Sequence, residues 1–259
     1  MRCLGWVLFA VPLLARTYSV DGIVVAVDPV ARTMLVSHRP IEHYMPAMTM
    51  PFHVAAESDL APLRPGSRVQ FDLTVDRDRS VARNVRVTGQ SEIRPAAPPL
   101  AIGKPLPAFH LADQDGRPVS NDDLHGKVVA IDFIYTRCPL PDVCPRLSAN
   151  FAAIARRFAG RVLLLSVTVD PDYDTPPVLA AYARRWGADP RTWRFLTGDV
   201  AALAAALGEV YWFDEGSIGH NSMTSILGRD GRLAAVVEGA GYRPDQLSDL
   251  IARQLEDHP

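Results

Sequence analysis

VAIDFIYTRCPLPDVCP, residues Val129 to Pro145, begins as a strand and ends as a helix. Val128, Val129, Ile131, Phe133 and Ile134 are β-branched or aromatic, and so dense a run predicts a buried strand. The run breaks at Thr136-Arg137. Cys138 and Cys144 follow among three prolines, and Leu147, Phe151 and Ile154 then recur at helical spacing. Cys144 falls at the predicted helix N-terminus, where the dipole and the free N–H groups favour thiolate over thiol. A thiolate in that place attacks a disulfide or binds a soft metal.

Working outward, Arg161–Val169 predicts a second buried strand that ends at Asp170-Pro171. Thr175-Pro176 predicts a helix start with a capping hydroxyl, and Gly187 its end. Asp199 is expected to cap a short alanine-rich helix that stops at Gly208. Phe109–Leu111 and Pro118-Val119 predict a hairpin, as do Met223–Leu227 and Leu233–Glu238. Leu247, Leu250, Ile251 and Leu255 line one face of a last helix. Alternating strands and helices argue an α/β domain with a central mixed sheet and a thioredoxin-like placement of the cysteines.

His220 lies in Ile218-Gly219-His220-Asn221-Ser222, just before the last hairpin. A loop histidine is usually only that. With Cys138 and Cys144 it would complete a set of two thiolates and one imidazole, which suits Cu(I) and can retain Cu(II). Two carboxylates have two readings each: Asp142 caps the helix or tunes the site, and Asp170 orients the site or ends its strand.

This half resembles the Sco/SenC family over about residues 105–256. The resemblance rests on Asp132-Phe133-Ile134-Tyr135-Thr136, Pro141-Asp142-Val143-Cys144-Pro145, Ser166–Pro171, Asp174-Thr175-Pro176, Tyr182, Phe195-Leu196-Thr197-Gly198 and the His220 region. It implies a thioredoxin-like copper protein linked to assembly of the binuclear copper centre of cytochrome c oxidase. It also implies Cys138, Cys144 and His220 as ligands. The chain departs from the family in two places. Five residues separate the cysteines instead of the usual three, and Gly219 stands where the family often has Asp.

Residues 18–90 read differently. Val20–Val27, Thr33–Ser37, Arg68–Val75 and Ser80–Val87 are short strands between turns, and no strong helix appears, which predicts a small β-barrel. At its centre stands HYMPAMTMPF, His43 to Phe52, holding three of the six methionines. Met48 and Met50 are two apart, so a strand turns both thioethers to one face. Thioethers select Cu(I), and His38 on the preceding strand could close a His–Met–Met site. The alternative is that the methionines fill the core. With His38-Arg39-Pro40-Ile41, the stretch resembles the CusF-like periplasmic copper-binding domain, an OB-like barrel. That resemblance implies one Cu(I) held by His38, Met48 and Met50. Met45 stands where that family has a capping Trp, so either Met45 adds a third thioether or Tyr44 covers the site. His43 and His53 read as surface residues.

Composition sets the remaining bounds. The chain has 259 residues, 48% of them hydrophobic, and a net charge of −2, which gives no electrostatic reason to expect nucleic acid or an anionic membrane as partner. Three cysteines, one of them Cys3, make a single dithiol pair and no disulfide scaffold. Residues 1–17 read as a signal peptide or N-terminal anchor, which places the body outside the cytoplasm, in or facing the periplasm. Residues 91–104 read as a proline-rich linker between the barrel and a thioredoxin-like domain over 105–259.

The expected function is an exported Cu(I) metallochaperone whose partners are a copper-accepting protein, such as an oxidase subunit, and a copper donor, with no nucleic acid and no small-molecule substrate. Two alternatives stand beside it. One is a thiol–disulfide oxidoreductase acting on a partner's cysteines, with Cys138 and Cys144 as catalytic residues. The other is copper sequestration.

Overall fold

The computed structural model describes residues 16–45, 48–76, 79–94, 99–214 and 217–256. The expected signal peptide or anchor lies almost wholly outside the described residues, as do Pro46 and Ala47 of the methionine stretch. The chain forms two compact units that divide between Gln90 and Ser91.

The first unit contains β1 (Arg16–Asp28), β2 (Thr33–His38), β3 (Met48–Val54), the single turn α1 (Glu57–Leu60), β4 (Ser67–Asp76) and β5 (Arg79–Gln90). The five strands close in the order β1-β2-β3-β5-β4. Alternate residues turn inward. Val20, Val24, Met34, Val36, Phe52, Phe71 and Leu73 make the core, so one methionine, Met34, does serve as filler. Gly22 sits opposite His38 in the β1–β2 ladder. A Cβ on Gly22 would lie 2.6 Å from the Ser37 carbonyl oxygen and 2.6 Å from Val36 Cγ1, so only glycine lets the strands approach this closely.

The second unit begins with β6 (Ile93–Arg94), then β7 (His110–Asp113), β8 (Pro118–Ser120), β9 (Val128–Ile134), α2 (Cys144–Phe158) and β10 (Val162–Thr168). It continues with α3 (Pro176–Trp186), β11 (Trp193–Thr197), α4 (Ala201–Ala206), β12 (Tyr211–Asp214), β13 (Ser217–His220), β14 (Met223–Leu227), β15 (Leu233–Glu238) and α5 (Pro244–Glu256). Seven strands form a mixed sheet in the order β15-β14-β9-β10-β11-β7-β8, with β9, β10 and β11 parallel at its centre. Every residue of β9 and β10 is buried, because helices cover the sheet, and this is why both strands read as mainly apolar runs, broken only by Asp132 in β9 and by Ser166 and Thr168 in β10. α2 packs against β9, β10, α3 and α5. This is the thioredoxin-like arrangement that the strand–loop–helix pattern predicts.

A second sheet, β13-β12-β6, carries the candidate ligand His220. Its strand β6 lies inside the stretch expected to be a linker, and Ile93 and Arg94 pair with Trp212 and Tyr211. Further on, Leu100 N–H donates to the Ala206 carbonyl and Gly103 N–H to the Leu233 carbonyl, so the described ends of the proline-rich stretch are bonded to the second unit. An extended chain without internal hydrogen bonds has a full set to offer a sheet edge.

Two expected helix caps are not made. Pro176 opens α3 and Gly187 ends it in the left-handed region, but the Thr175 side chain makes no capping bond. Asp142 does not cap α2, whose N-cap is Val143; its carboxylate pairs loosely with Arg146 at 3.9 Å.

Candidate metal centres

The strand–loop–helix segment puts Cys138 on the loop after β9 and Cys144 at the first residue of α2. Cys144 is completely buried, whereas Cys138 is half-exposed; both thiols are free. The expectation that the helix N-terminus makes Cys144 the thiolate is reversed. Burial pushes the Cys144 thiol well up, and Cys138 falls to about 5. Cys144 is the largest influence drawing the Cys138 thiol down, against the opposing effect of partial burial. The helix start therefore does stabilise a thiolate, but the more solvated sulfur beside it receives the benefit.

The start of the loop is anchored by two carboxylates, Asp174 and Asp170. Asp174, fully buried, accepts the Thr136 N–H at 3.0 Å, the Thr168 hydroxyl at 2.5 Å and the Thr136 hydroxyl. Asp170 Oδ2 accepts Arg137 Nε–H at 2.6 Å, and the Arg137 guanidinium lies 4.6 Å over the Tyr173 ring. Asp170 thus holds the residue next to Cys138, besides ending its strand.

His220, at the end of β13, brings Nε2 to 3.6 Å from Cys144 Sγ. Its Nδ1 hydrogen-bonds Glu209 Oε1 at 2.7 Å, and both side chains are buried. Burial by itself depresses the His220 pKa; the Glu209 carboxylate, with the Cys138 and Asp132 charges, outweighs it and the net direction is up. Tyr135 meets the imidazole edge-on at 6.1 Å, and its hydroxyl accepts the Ile218 N–H at 3.4 Å. Asn221 locks the connection: its amide donates to the Gly208 carbonyl and accepts from the Val210 N–H, each at 2.8 Å.

Sequence reasoning missed Glu209. It follows Gly208 with no periodic partner and reads as a turn residue. Asp132 on β9 is also fully buried; neither carboxyl oxygen has a hydrogen-bond partner among the described residues, and burial raises its pKa to about 7. The three expected ligands thus lie in series, Cys138 against Cys144 and Cys144 against His220. Among the described residues no three His, Cys, Asp or Glu side chains are gathered at metal-ligand spacing.

In the first unit, His38 pairs with Met48 and Val36 with Met50 across β2 and β3. His38 is 3% exposed and Met48 45%; Met50 lies between them in burial, so the three grade from barrel interior to solvent. His38 Nδ1 donates to the Arg39 carbonyl at 2.8 Å, while Nε2 is buried with no partner among the described residues. Burial lowers its pKa, so the imidazole is neutral with a free lone pair. An orphaned imidazole nitrogen on the same sheet face as two methionines is the donor set a soft monovalent cation takes. Met45 is half-buried and packs against the core, and Tyr44 stacks on Tyr18 at 4.5 Å. His43 and His53 are exposed, as expected.

Comparison with known proteins gives two family matches: SCO1/SenC over residues 102–256 and "Copper binding periplasmic protein CusF" over residues 17–87. A SCO1 protein homolog of Bacillus subtilis is 29% identical over 154 residues, 55% of this chain and 79% of its own length. A putative copper-binding protein of Stutzerimonas stutzeri is 29% identical over 164 residues, 59% of this chain and 78% of its own. Among solved structures, a SCO1/SenC family lipoprotein from Bacillus anthracis superposes with a TM-score of 0.53 at 27% identity, covering 60% of this chain and 100% of that one. BsSco, a member of the Sco family of cytochrome c oxidase assembly proteins in which a disulfide switch has been identified, gives 0.51 at 26% identity, with 60% and 98% covered.

Proposed function

The chain belongs to the SCO1/SenC family over residues 102–256, and from that premise we propose that it is an exported copper carrier with one soft site in each unit. His38, Met48 and Met50 take Cu(I) in the first unit, read as an OB-like barrel, with Met45 beside them. Cys138, Cys144 and His220 take copper in the second. Thiolates hold Cu(I) more tightly than thioethers, so the metal passes from the first site to the second by ligand exchange, and from there to an acceptor such as an oxidase subunit. Copper here is cargo.

The observation that carries this reading is the 3.6 Å approach of His220 Nε2 to Cys144, next to the Cys138 thiol. It is tested by anaerobic Cu(I) titration of the reduced chain against a chromogenic chelator. Two tight equivalents are expected, falling to one in Cys138→Ser/Cys144→Ser and to one in His38→Ala/Met50→Ala. A parent with one equivalent that survives the cysteine substitutions would remove the second site.

One observation favours a second reading. An accessible thiolate above a buried thiol is the arrangement of an attacking and a resolving cysteine. In that reading Cys138 attacks a partner's disulfide to form a mixed disulfide, and Cys144 then displaces the partner's second thiolate. His220→Ala separates the two: it weakens copper retention while leaving dithiol exchange intact.

A further inference from the structure

Where the resembled family often places an aspartate before its histidine, this chain has no room for one. Gly219 faces Trp212 across the β12–β13 ladder. A Cβ at 219 would lie 2.4 Å from Trp212 Cε2, 2.5 Å from Nε1 and 2.6 Å from Cζ2, and the indole is itself buried. The rigid ring cannot move aside as a flexible side-chain tip would. The carboxylate comes instead from Glu209, just before β12. Oε1 accepts the His220 Nδ1–H at 2.7 Å and Oε2 accepts the Met223 backbone N–H at 2.7 Å. Both oxygens are thus engaged, one with the imidazole and one with a backbone N–H. A carboxylate only accepts, so in the neutral imidazole this contact favours the proton on Nδ1 and leaves the Nε2 lone pair toward Cys144.

The charge matters as much as the geometry. Glu209 is completely buried, so water does not screen its charge, and it adds to the charge of the thiolates. A divalent ion gains more from that excess than a monovalent one. We propose that Glu209 is a positioning residue that biases the Cys138–Cys144–His220 site toward retaining Cu(II) over Cu(I). This rests on the reading of those three residues as a copper site.

The test uses the full chain carrying Met48→Ala and Met50→Ala, so that the first unit does not compete for Cu(I). Dissociation constants for Cu(II) and Cu(I), the thiolate-to-Cu(II) charge-transfer absorption and the reduction potential are compared among this parent, Glu209→Gln and Glu209→Asp. The imidazole tautomer of His220 is read by 15N NMR in the copper-free parent.

Removing one buried charge an imidazole's width from the metal is expected to weaken Cu(II) about 10–100-fold more than Cu(I). The potential then rises by about 60–120 mV, at 59 mV per decade for a one-electron couple. Glu209→Asp, which disturbs packing but keeps the charge, is expected to recover most of the ratio, and the copper-free parent to show Nδ1–H. Equal weakening of both ions in Glu209→Gln overturns the proposal and leaves Glu209 a structural residue. A parent whose neutral His220 carries its proton on Nε2 overturns it too, even where Glu209→Gln does not fold. A parent that retains neither ion removes the copper site itself, which is distinct from a site that binds both with an unchanged ratio.

Discussion

Cys144, at the head of the helix, is the largest influence lowering the Cys138 thiol on the neighbouring loop, so the buried cysteine activates the accessible one. Cys138 is the one that solvent reaches. Iodoacetamide is therefore expected to label Cys138 with a midpoint near pH 5, and Cys144 only after unfolding. Mass mapping of the labelled peptide measures both rates. Cys144→Ala should move the Cys138 midpoint upward. Equal labelling of the two cysteines in the native protein would contradict the assignment.

The stability of the copper-free protein should fall as pH rises through neutrality. Asp132 has its pKa raised to about 7 by burial, so the folded state holds a proton that the unfolded chain releases near 4. A raised carboxyl pKa costs nothing below the unfolded value. The cost grows with pH up to the folded value and is then constant. His220, also raised, works in the same direction: its contribution is full below the unfolded value near 6.5 and is lost as pH passes the folded one. Asp132→Asn is expected to gain about 2–4 kcal/mol relative to the parent at pH 8 and little at pH 4. Urea melts at the two pH values check this; a difference independent of pH would exclude it.

Gly22→Ala should damage the first unit without touching the second. The added methyl meets backbone at 2.6 Å, so the strands have to part beside His38. A loss of about 1–3 kcal/mol is expected, in keeping with other overpacked sites. One equivalent of Cu(I) should weaken while the cysteine-dependent equivalent stays. Calorimetry and chelator competition on the same variant report the two effects separately.

Asp174→Ala leaves three donors without their acceptor: the Thr136 N–H, the Thr136 hydroxyl and the Thr168 hydroxyl. A buried network of that kind is expected to cost about 2–4 kcal/mol. The loop that carries Cys138 should loosen, which hydrogen exchange at Thr136 would show as lost protection. Unchanged protection would mean that the loop is held elsewhere.

Much of this protein is written locally. Val128–Ile134 and Val162–Thr168 are dominated by apolar residues because both sides of the strands are covered, with Asp132, Ser166 and Thr168 the polar exceptions, and that pattern announces a buried parallel pair. That His38, Met48 and Met50 share one face was legible because a period of two and one hairpin place them so. What escaped is non-local. Glu209 reaches His220 across the β12–β13 pair, and nothing in Gly208-Glu209-Val210 marks it as buried. Thr175 and Asp142 carry the right groups for caps, yet neither makes one, since a cap also needs the side chain to point at the helix.

By itself the sequence determined the two units and the strand–cysteine loop–helix order, and pointed to the residues proposed as soft donors, because hydrophobic period, turn residues and ligand chemistry are properties of short segments. Only the tertiary structure decided which cysteine bears the charge and which carboxylate holds the histidine. Both depend on desolvation, and desolvation is set by what the rest of the chain packs over a residue: it closes over Cys144 and Glu209 and leaves Cys138 to the solvent.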